Sequence, residues 1–272
     1  MECKLVAEIG INANGDISIA KKLIDLAAMA GCSFVKFQKR TVSVVYTKEE
    51  LDAPRISPWG ITNREQKMGL EFSMEGYEEI NTYCKDRIPW FASPWDVASV
   101  SAITDFDIPY IKIPSALITN MDLLHECKNH NQPVILSVGM STKEEVDKAV
   151  NFLGGQVEYI LACTSTYPTP IREVNLNFIK VLKDEYPRHR IGFSNHHPGI
   201  VLMVVAAAFG AEMMEFHVTL DRSSYGSDQA ASIEPTGVLK ICKYVYDLEL
   251  AMGDGKWTVF DSEEEIKKKL RR

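Results

Sequence analysis

Two lysines stand where packing alone does not call for them. Lys36 lies inside the apolar run FVKFQ and Lys112 inside YIKIPS. A buried ammonium costs roughly several kcal/mol unless an anion faces it, so each needs a partner, either a bound ligand or a structural carboxylate such as Glu8 or Glu215. Serines close the neighbouring runs at Ser115, Ser137 and Ser194. Two ammonium groups and several hydroxyls converging on one mouth make a pocket for phosphate or carboxylate. His196 stands beside Ser194 at the end of IGFSNH, and His217 lies in MEFHVT. Parallel neighbouring strands lie about 4.8 Å apart, so imidazoles at their ends can share one metal. Two nitrogens with oxygen partners and no thiolate point to an open site for Mn²⁺, Mg²⁺ or an Fe²⁺-like ion rather than structural zinc; two histidines satisfied by ordinary hydrogen bonds are the alternative. Glu8 and Glu215 are then available to move protons or to bind sugar hydroxyls. Cys163 has no histidine placed beside it by sequence and reads as a packed thiol.

These residues need a frame that gathers run ends. Eight short runs rich in Val, Ile and Phe begin at Leu5, Phe34, Trp90, Tyr110, Val134, Tyr159, Ile191 and Met214, with helical patterns between them. One such pattern, ISIAKKLIDLAAMAG, ends on a capping glycine, and STKEEVDKAVNFLGG opens with a Ser-x-x-Glu capping box. Eight β/α alternations without a G-x-G-x-x-G turn after the first run predict one closed (β/α)8 TIM barrel over the chain to about residue 252, with chemistry at the carboxyl ends of its strands. Thr41 to Met68 form a polar insertion after the second strand, expected to act as a lid or substrate loop. The charged tail from Asp261 reads as a solvated terminus.

The remaining composition excludes other classes. The 272 residues are 46% hydrophobic with a net charge of −7, which gives a core and no basic footprint for nucleic acid. No apolar run reaches the ~20 residues that span a bilayer, and no signal-peptide layout opens the chain, so a soluble, cytoplasmic protein is expected. Six scattered cysteines without a C-x-x-C pair suit a reducing compartment.

In this order, AEIGIN, VKFQ, SPWD, YIKIPS, ILSVGMS, CTSTYPTP, IGFSNH, EFHVT and GSDQAASIEP resemble the barrel of the sialic acid (N-acetylneuraminate) synthase family. That resemblance implies condensation of phosphoenolpyruvate with an aldose to give a nonulosonic acid and phosphate. It implies phosphoenolpyruvate binding by Lys36, Lys112, Ser115, Ser137, Ser165 and Ser194, and a divalent metal, Mn²⁺ or Mg²⁺, on His196 and His217. Glu8, Gln38, Tyr167, Glu215 and Asp228 would face the sugar, and a homodimer is expected by the same likeness. The chain departs from the family pattern in four ways, one of them that Asn12-Ala13-Asn14 lacks the His usual after the first strand. Ala116 and Leu117 follow YIKIPS where a Gly and an acidic sugar contact are common, Ser165 replaces a common Asn, and the antifreeze-like C-terminal domain has no counterpart. Arg64, with Arg55 and Lys67 of the insertion, is expected to supply substitute contacts to the acceptor. The rival readings are a 3-deoxy-ulosonate synthase acting on a phosphorylated aldose and a degenerate sugar-binding barrel.

Overall fold

The computed structural model describes residues 3–271. Eight parallel strands form the barrel: β1 (Lys4–Glu8), β2 (Phe34–Lys39), β3 (Trp90–Pro94), β4 (Ile111–Ile113), β5 (Val134–Ser137), β6 (Val157–Cys163), β7 (Arg190–Asn195) and β8 (Met213–His217). Each pairs with the next, and β8 closes on β1. All eight expected runs are therefore strands, and the (β/α)8 barrel stands.

Helices between the strands cover the barrel, and local capping sets their ends. Asp16 accepts the amides of Ser18 and Ile19 at the start of the helix Ile17–Ala30, and Gly31 ends it at φ 89°, a left-handed conformation that favours glycine. The expected box on STKEEV sits one residue later: Thr142 and Glu145 cap the helix Lys143–Leu153 reciprocally, while Ser141 Oγ donates to the Gly139 carbonyl. Ser141 is drawn back into the turn after β5, which leaves Thr142 as the residue at the helix threshold.

The insertion is more ordered than a loop. It folds as the short helices Val42–Val45 and Lys48–Asp52, a hairpin of Pro54–Ser57 with Gly60–Thr62, and the helix Asn63–Leu70. Capping boxes start two of these helices, Thr47 with Glu50 and Thr62 with Glu65. The Trp59 ring meets Tyr225 edge-on with centroids 5.5 Å apart, which ties the insertion to the loop after β8. The last barrel helix, Pro235–Met252, is followed by a segment without regular structure and by the exposed helix Asp261–Leu270.

The six cysteines are free thiols, and Cys32 and Cys242 face each other with sulfurs 3.6 Å apart. Among the described residues, no helix is long and apolar enough to cross a membrane.

Candidate active site

Side chains alternate along a strand, so residues two apart share a face. Lys36 and Gln38 on β2 share one, as do Glu215 and His217 on β8. The register sets Glu8 opposite Lys36 on one side and opposite His217 on the other, and Glu215 opposite Ser194 of β7. Strands from both ends of the chain thus deliver their polar residues to one point.

At that point four charges meet. Lys36 Nζ lies 2.9 Å from Glu8 Oε2 and 3.6 Å from Glu215 Oε1, while Lys112 Nζ lies 3.7 Å from Glu215 Oε2. All four side chains are buried. The carboxylate alternative for the lysines is thus realised, and it leaves room for an anion role, because hydroxyls complete each ammonium: Ser93 Oγ at 3.1 Å from Lys36 and Ser137 Oγ at 2.7 Å from Lys112. The two lysines differ in their protonation. Burial works against the charge on both, yet Glu215 and Glu8 together outweigh it at Lys36 and raise its pKa. At Lys112 burial wins over Glu215 and the more distant Glu8, with help from the like charge of Lys36, and lowers it. Glu215 sits between both ammonium groups. Burial alone would raise its carboxyl, and Lys112 and Lys36 overcome that to hold it at about 2.

The other expected residues surround this cluster. Ser194 Oγ donates to Glu215 at 3.1 Å, and Ser115 and Ser165 pair with each other at 2.8 Å at the ends of β4 and β6. Gln38 Nε2 donates to Glu8 Oε1 at 2.7 Å, and its carbonyl oxygen accepts from Arg40, which in turn meets Glu71 at 2.9 Å. Cys163 Sγ accepts the Gly139 amide, and burial pushes its thiol pKa up, as suits a packed thiol.

His196 and His217 face each other with ring centroids 5.5 Å apart. A carbonyl only accepts, so the 2.6 Å contact with Thr164 O puts the His196 proton on Nδ1 and leaves Nε2 with a lone pair, to which the Tyr167 hydroxyl donates at 2.9 Å. Burial, and then the neighbouring His217, pull the His196 pKa down to about 3, so the ring is neutral. His217 Nδ1 is buried without a hydrogen bond, 3.6 Å from Asp228 Oδ2. Tyr167, at a cis Tyr167–Pro168 peptide, lies over the His196 ring and meets the His217 ring edge-on. His197 turns away and holds the Thr169 carbonyl.

Among the described residues, no group of three or more His, Cys, Asp and Glu is arranged to hold an ion. A neutral imidazole with its lone pair free of protons and an orphaned nitrogen on its neighbour nonetheless fit a divalent ion that takes its remaining ligands from outside the chain. They do not fit a closed structural zinc site.

Arg64 is not gathered to this site. Its guanidinium pairs with Asp52 at 2.8 Å within the insertion, because its helix turns that face toward the preceding one. Two residues that the sequence reading left unassigned do belong here. Ser93 ends β3 with its hydroxyl on Lys36, and the strand-end serine pattern already marked it. Arg40 follows Gln38 by two positions, the strand spacing that keeps a side chain on the same face.

The chain matches the NeuB family over residues 23–257. It is 36% identical over 253 residues to an N-acetylneuraminate-9-phosphate synthase of Drosophila melanogaster, covering 91% of this chain and 68% of that protein. It is 35% identical over 260 residues to an N,N'-diacetyllegionaminic acid synthase of Campylobacter jejuni, with 92% and 78% covered. The crystal structure of an N-acetylneuraminic acid (sialic acid) synthetase from Leptospira borgpetersenii superposes with a TM-score of 0.84 at 29% identity, over 100% of this chain and 93% of that one. A truncated 3-deoxy-D-arabino-heptulosonate 7-phosphate synthase from Thermotoga maritima shares the fold, at a TM-score of 0.69 and 15% identity over 93% and 88% of the two chains. With its barrel, its strand-end cluster and this match across most of its length, the chain belongs to the NeuB family.

Proposed function

We propose that the chain condenses phosphoenolpyruvate with an open-chain aldose, giving a nonulosonic acid and inorganic phosphate. The observation that carries this reading is the buried Glu8–Lys36–Glu215–Lys112 cluster beside two facing imidazoles. Membership of the NeuB family, and relatives named for N-acetylneuraminate-9-phosphate and diacetyllegionaminic acid synthesis, support it. In that reaction C3 of phosphoenolpyruvate bonds to the aldehyde carbon, whose oxygen takes a proton. Water adds to C2 and gives up a proton, and the C2–O bond to phosphate breaks.

Lys36 and Lys112 exchange part of their pairing with Glu8 and Glu215 for the phosphate and carboxylate of the substrate, so their charge is arranged before the substrate arrives. Ser115, Ser137, Ser165 and Ser194 offer hydroxyls to the same two anionic groups. Glu215, held by both ammonium groups, keeps them in position. Glu8 contacts one lysine and Gln38, and is the carboxylate we assign to moving the water proton. Tyr167, Gln38 and Asp228 flank the imidazoles on the acceptor side. His196 and His217 would hold a divalent ion, Mn²⁺ or Mg²⁺, which when bound polarises the acceptor's carbonyl oxygen. On the same kinship we infer a cytoplasmic homodimer acting on small molecules, and the net charge of −7 suits neither nucleic acid nor an anionic membrane surface.

The test is consumption of phosphoenolpyruvate by the purified protein with Mn²⁺ across a panel of N-acylated and plain aldoses and their terminal phosphates. Turnover with at least one unphosphorylated or terminally phosphorylated hexosamine is expected, and loss of phosphoenolpyruvate with none of them overturns the reading.

A further inference from the structure

Gln38 touches the carboxylate assigned to the water proton, and which end of its amide does so decides how that carboxylate is held. Gln38 Nε2 donates to Glu8 Oε1 at 2.7 Å, while Glu8 Oε2 faces Lys36 at 2.9 Å. The position of Gln38 is fixed from two directions. The buried Tyr77 hydroxyl donates to its main-chain carbonyl at 2.6 Å. Gly10, at φ 50°, lies so close that a β-carbon there would stand 2.7 Å from Glu8 Oε1 and 2.9 Å from Gln38 Nε2. Neither contact sets the orientation of the amide. Its oxygen and nitrogen ends have nearly the same shape, so packing alone accepts a half-turn that sets the carbonyl against Glu8. Two acceptors would then face each other, and the carboxylate would turn away.

Arg40 removes that ambiguity. A guanidinium has donors only, so where Arg40 Nη2 meets the Gln38 side chain, the amide oxygen must face it and the NH2 must face Glu8. Arg40 itself is held on three sides. Its Nη1 donates to Glu71 Oε1 at 2.9 Å, its main-chain amide donates to Glu71 Oε2 at 3.1 Å, and its guanidinium stacks on the Trp95 ring at 4.6 Å. Glu71 follows the last turn of the helix Asn63–Leu70, so the far end of the insertion reaches Glu8 through two side chains, Arg40 and Gln38. A residue that only tied the insertion to the barrel would need no donor toward Gln38. The Arg40 Nε is buried without a hydrogen bond, so complete pairing of the guanidinium is given up in this arrangement.

We propose that Arg40 is a positioning residue for the condensation and acts through Gln38: it keeps the Gln38 NH2 turned to Glu8, which holds the Glu8 carboxylate in the orientation that takes a proton from the water adding to C2. This rests on the condensation proposed above, with Glu8 as the group that moves that proton. Lys36 and Lys112 find their carboxylate and hydroxyl partners without Arg40, so the hold on phosphoenolpyruvate does not depend on it.

The experiment is a double-mutant cycle on turnover with phosphoenolpyruvate and Mn²⁺, using N-acetylmannosamine, its 6-phosphate and the rest of the aldose panel as acceptors. Arg40→Met should lower kcat about tenfold to a hundredfold while leaving the KM for phosphoenolpyruvate within about twofold. In a Gln38→Met background the same change should cost nothing further, because the route from Arg40 to Glu8 has already gone. Arg40→Lys, which keeps a donor, should recover part of the loss. Losses that multiply in the double variant, or a wild-type kcat in Arg40→Met, overturn the proposal. If Arg40→Met fails to fold with Glu71 left unpaired, Arg40→Met/Glu71→Met removes both charges together and carries the same comparison. A reading independent of turnover is the Gln38 side-chain NH2 in ¹H–¹⁵N NMR spectra, assigned by its disappearance in Gln38→Met. In the wild type its two protons should give separate signals that exchange slowly with solvent, and Arg40→Met should shift or broaden them and speed their exchange. Unchanged signals in Arg40→Met overturn the proposal. Changed signals in a protein that consumes phosphoenolpyruvate with none of the sugars uphold the orientation of Gln38 by Arg40 and defeat the condensation instead.

Discussion

Lys36 and Lys112 sit in one cluster, yet their removal should have unequal consequences for stability. Lys36 bridges two buried carboxylates, so Lys36→Met strands Glu8 and Glu215 and should cost about 3–5 kcal/mol, read as a lower denaturation midpoint. If the sequence's anion-binding alternative alone held, with an empty pocket facing each lysine, both variants would fold well; the paired carboxylates revise that for Lys36. Lys112 is held against its own burial with one carboxylate and one hydroxyl, so Lys112→Met should leave the midpoint within about 1 kcal/mol while weakening phosphoenolpyruvate binding by roughly 2–5 kcal/mol. Equal midpoints for the two variants would show that the pairing described here is not what stabilises the folded chain. The imidazoles make a separate prediction. His196→Ala and His217→Ala should each lose a bound divalent ion, measured as metal content after dialysis against Mn²⁺, with circular dichroism unchanged, and chelator should abolish wild-type turnover reversibly. Activity that survives exhaustive chelation removes the ion from the reaction.

The strands tolerate little extra volume where they pair, and Gly192 on β7 marks one such place. A β-carbon there would overlap the Leu161 side chain and the Met213 carbonyl, one on each neighbouring strand, so Gly192→Ala should destabilise the barrel by about 1–3 kcal/mol in chemical denaturation without altering the residues at its mouth. The strands themselves were legible because each is a short Val, Ile or Phe run bounded by a helical period, and the polar residues at their ends broke that pattern in the same place each time. Lys36, Lys112, His196 and His217 could be found in this way, since strand register alone brings them together. The insertion was less legible. Its Thr-x-x-Glu boxes at Thr47 and Thr62 are local signals for helices, but the way those helices fold back depends on Trp59 meeting Tyr225, a residue far away in sequence. For that reason Arg64 was expected at the mouth and instead pairs with Asp52, while Arg55 and Lys67 from the same segment line a cavity beside it.

At the scale of the molecule the barrel ends before the chain does. Trp257 is fully exposed, and Phe260, Ile266 and Leu270 are largely so, which means the last helix contributes little buried area. Deleting residues 254–272 should shift the thermal midpoint by no more than about a degree, given how little apolar surface that segment removes from water. A loss of many degrees would show that the segment is covered in solution. The closure of β8 on β1 has a kinetic consequence. Glu8 and Lys36 come from the first two strands, Glu215 and His217 from the last, and the seam between them is the longest-range pairing in the chain. Until that seam zips, the carboxylates and ammonium groups remain hydrated, so their dehydration falls on the final step of refolding and not on early collapse. After dilution from denaturant, far-ultraviolet ellipticity should therefore recover first and near-ultraviolet ellipticity from the packed aromatic rings later, and Lys36→Met, which leaves two like charges to be dried together, should lengthen the interval between them.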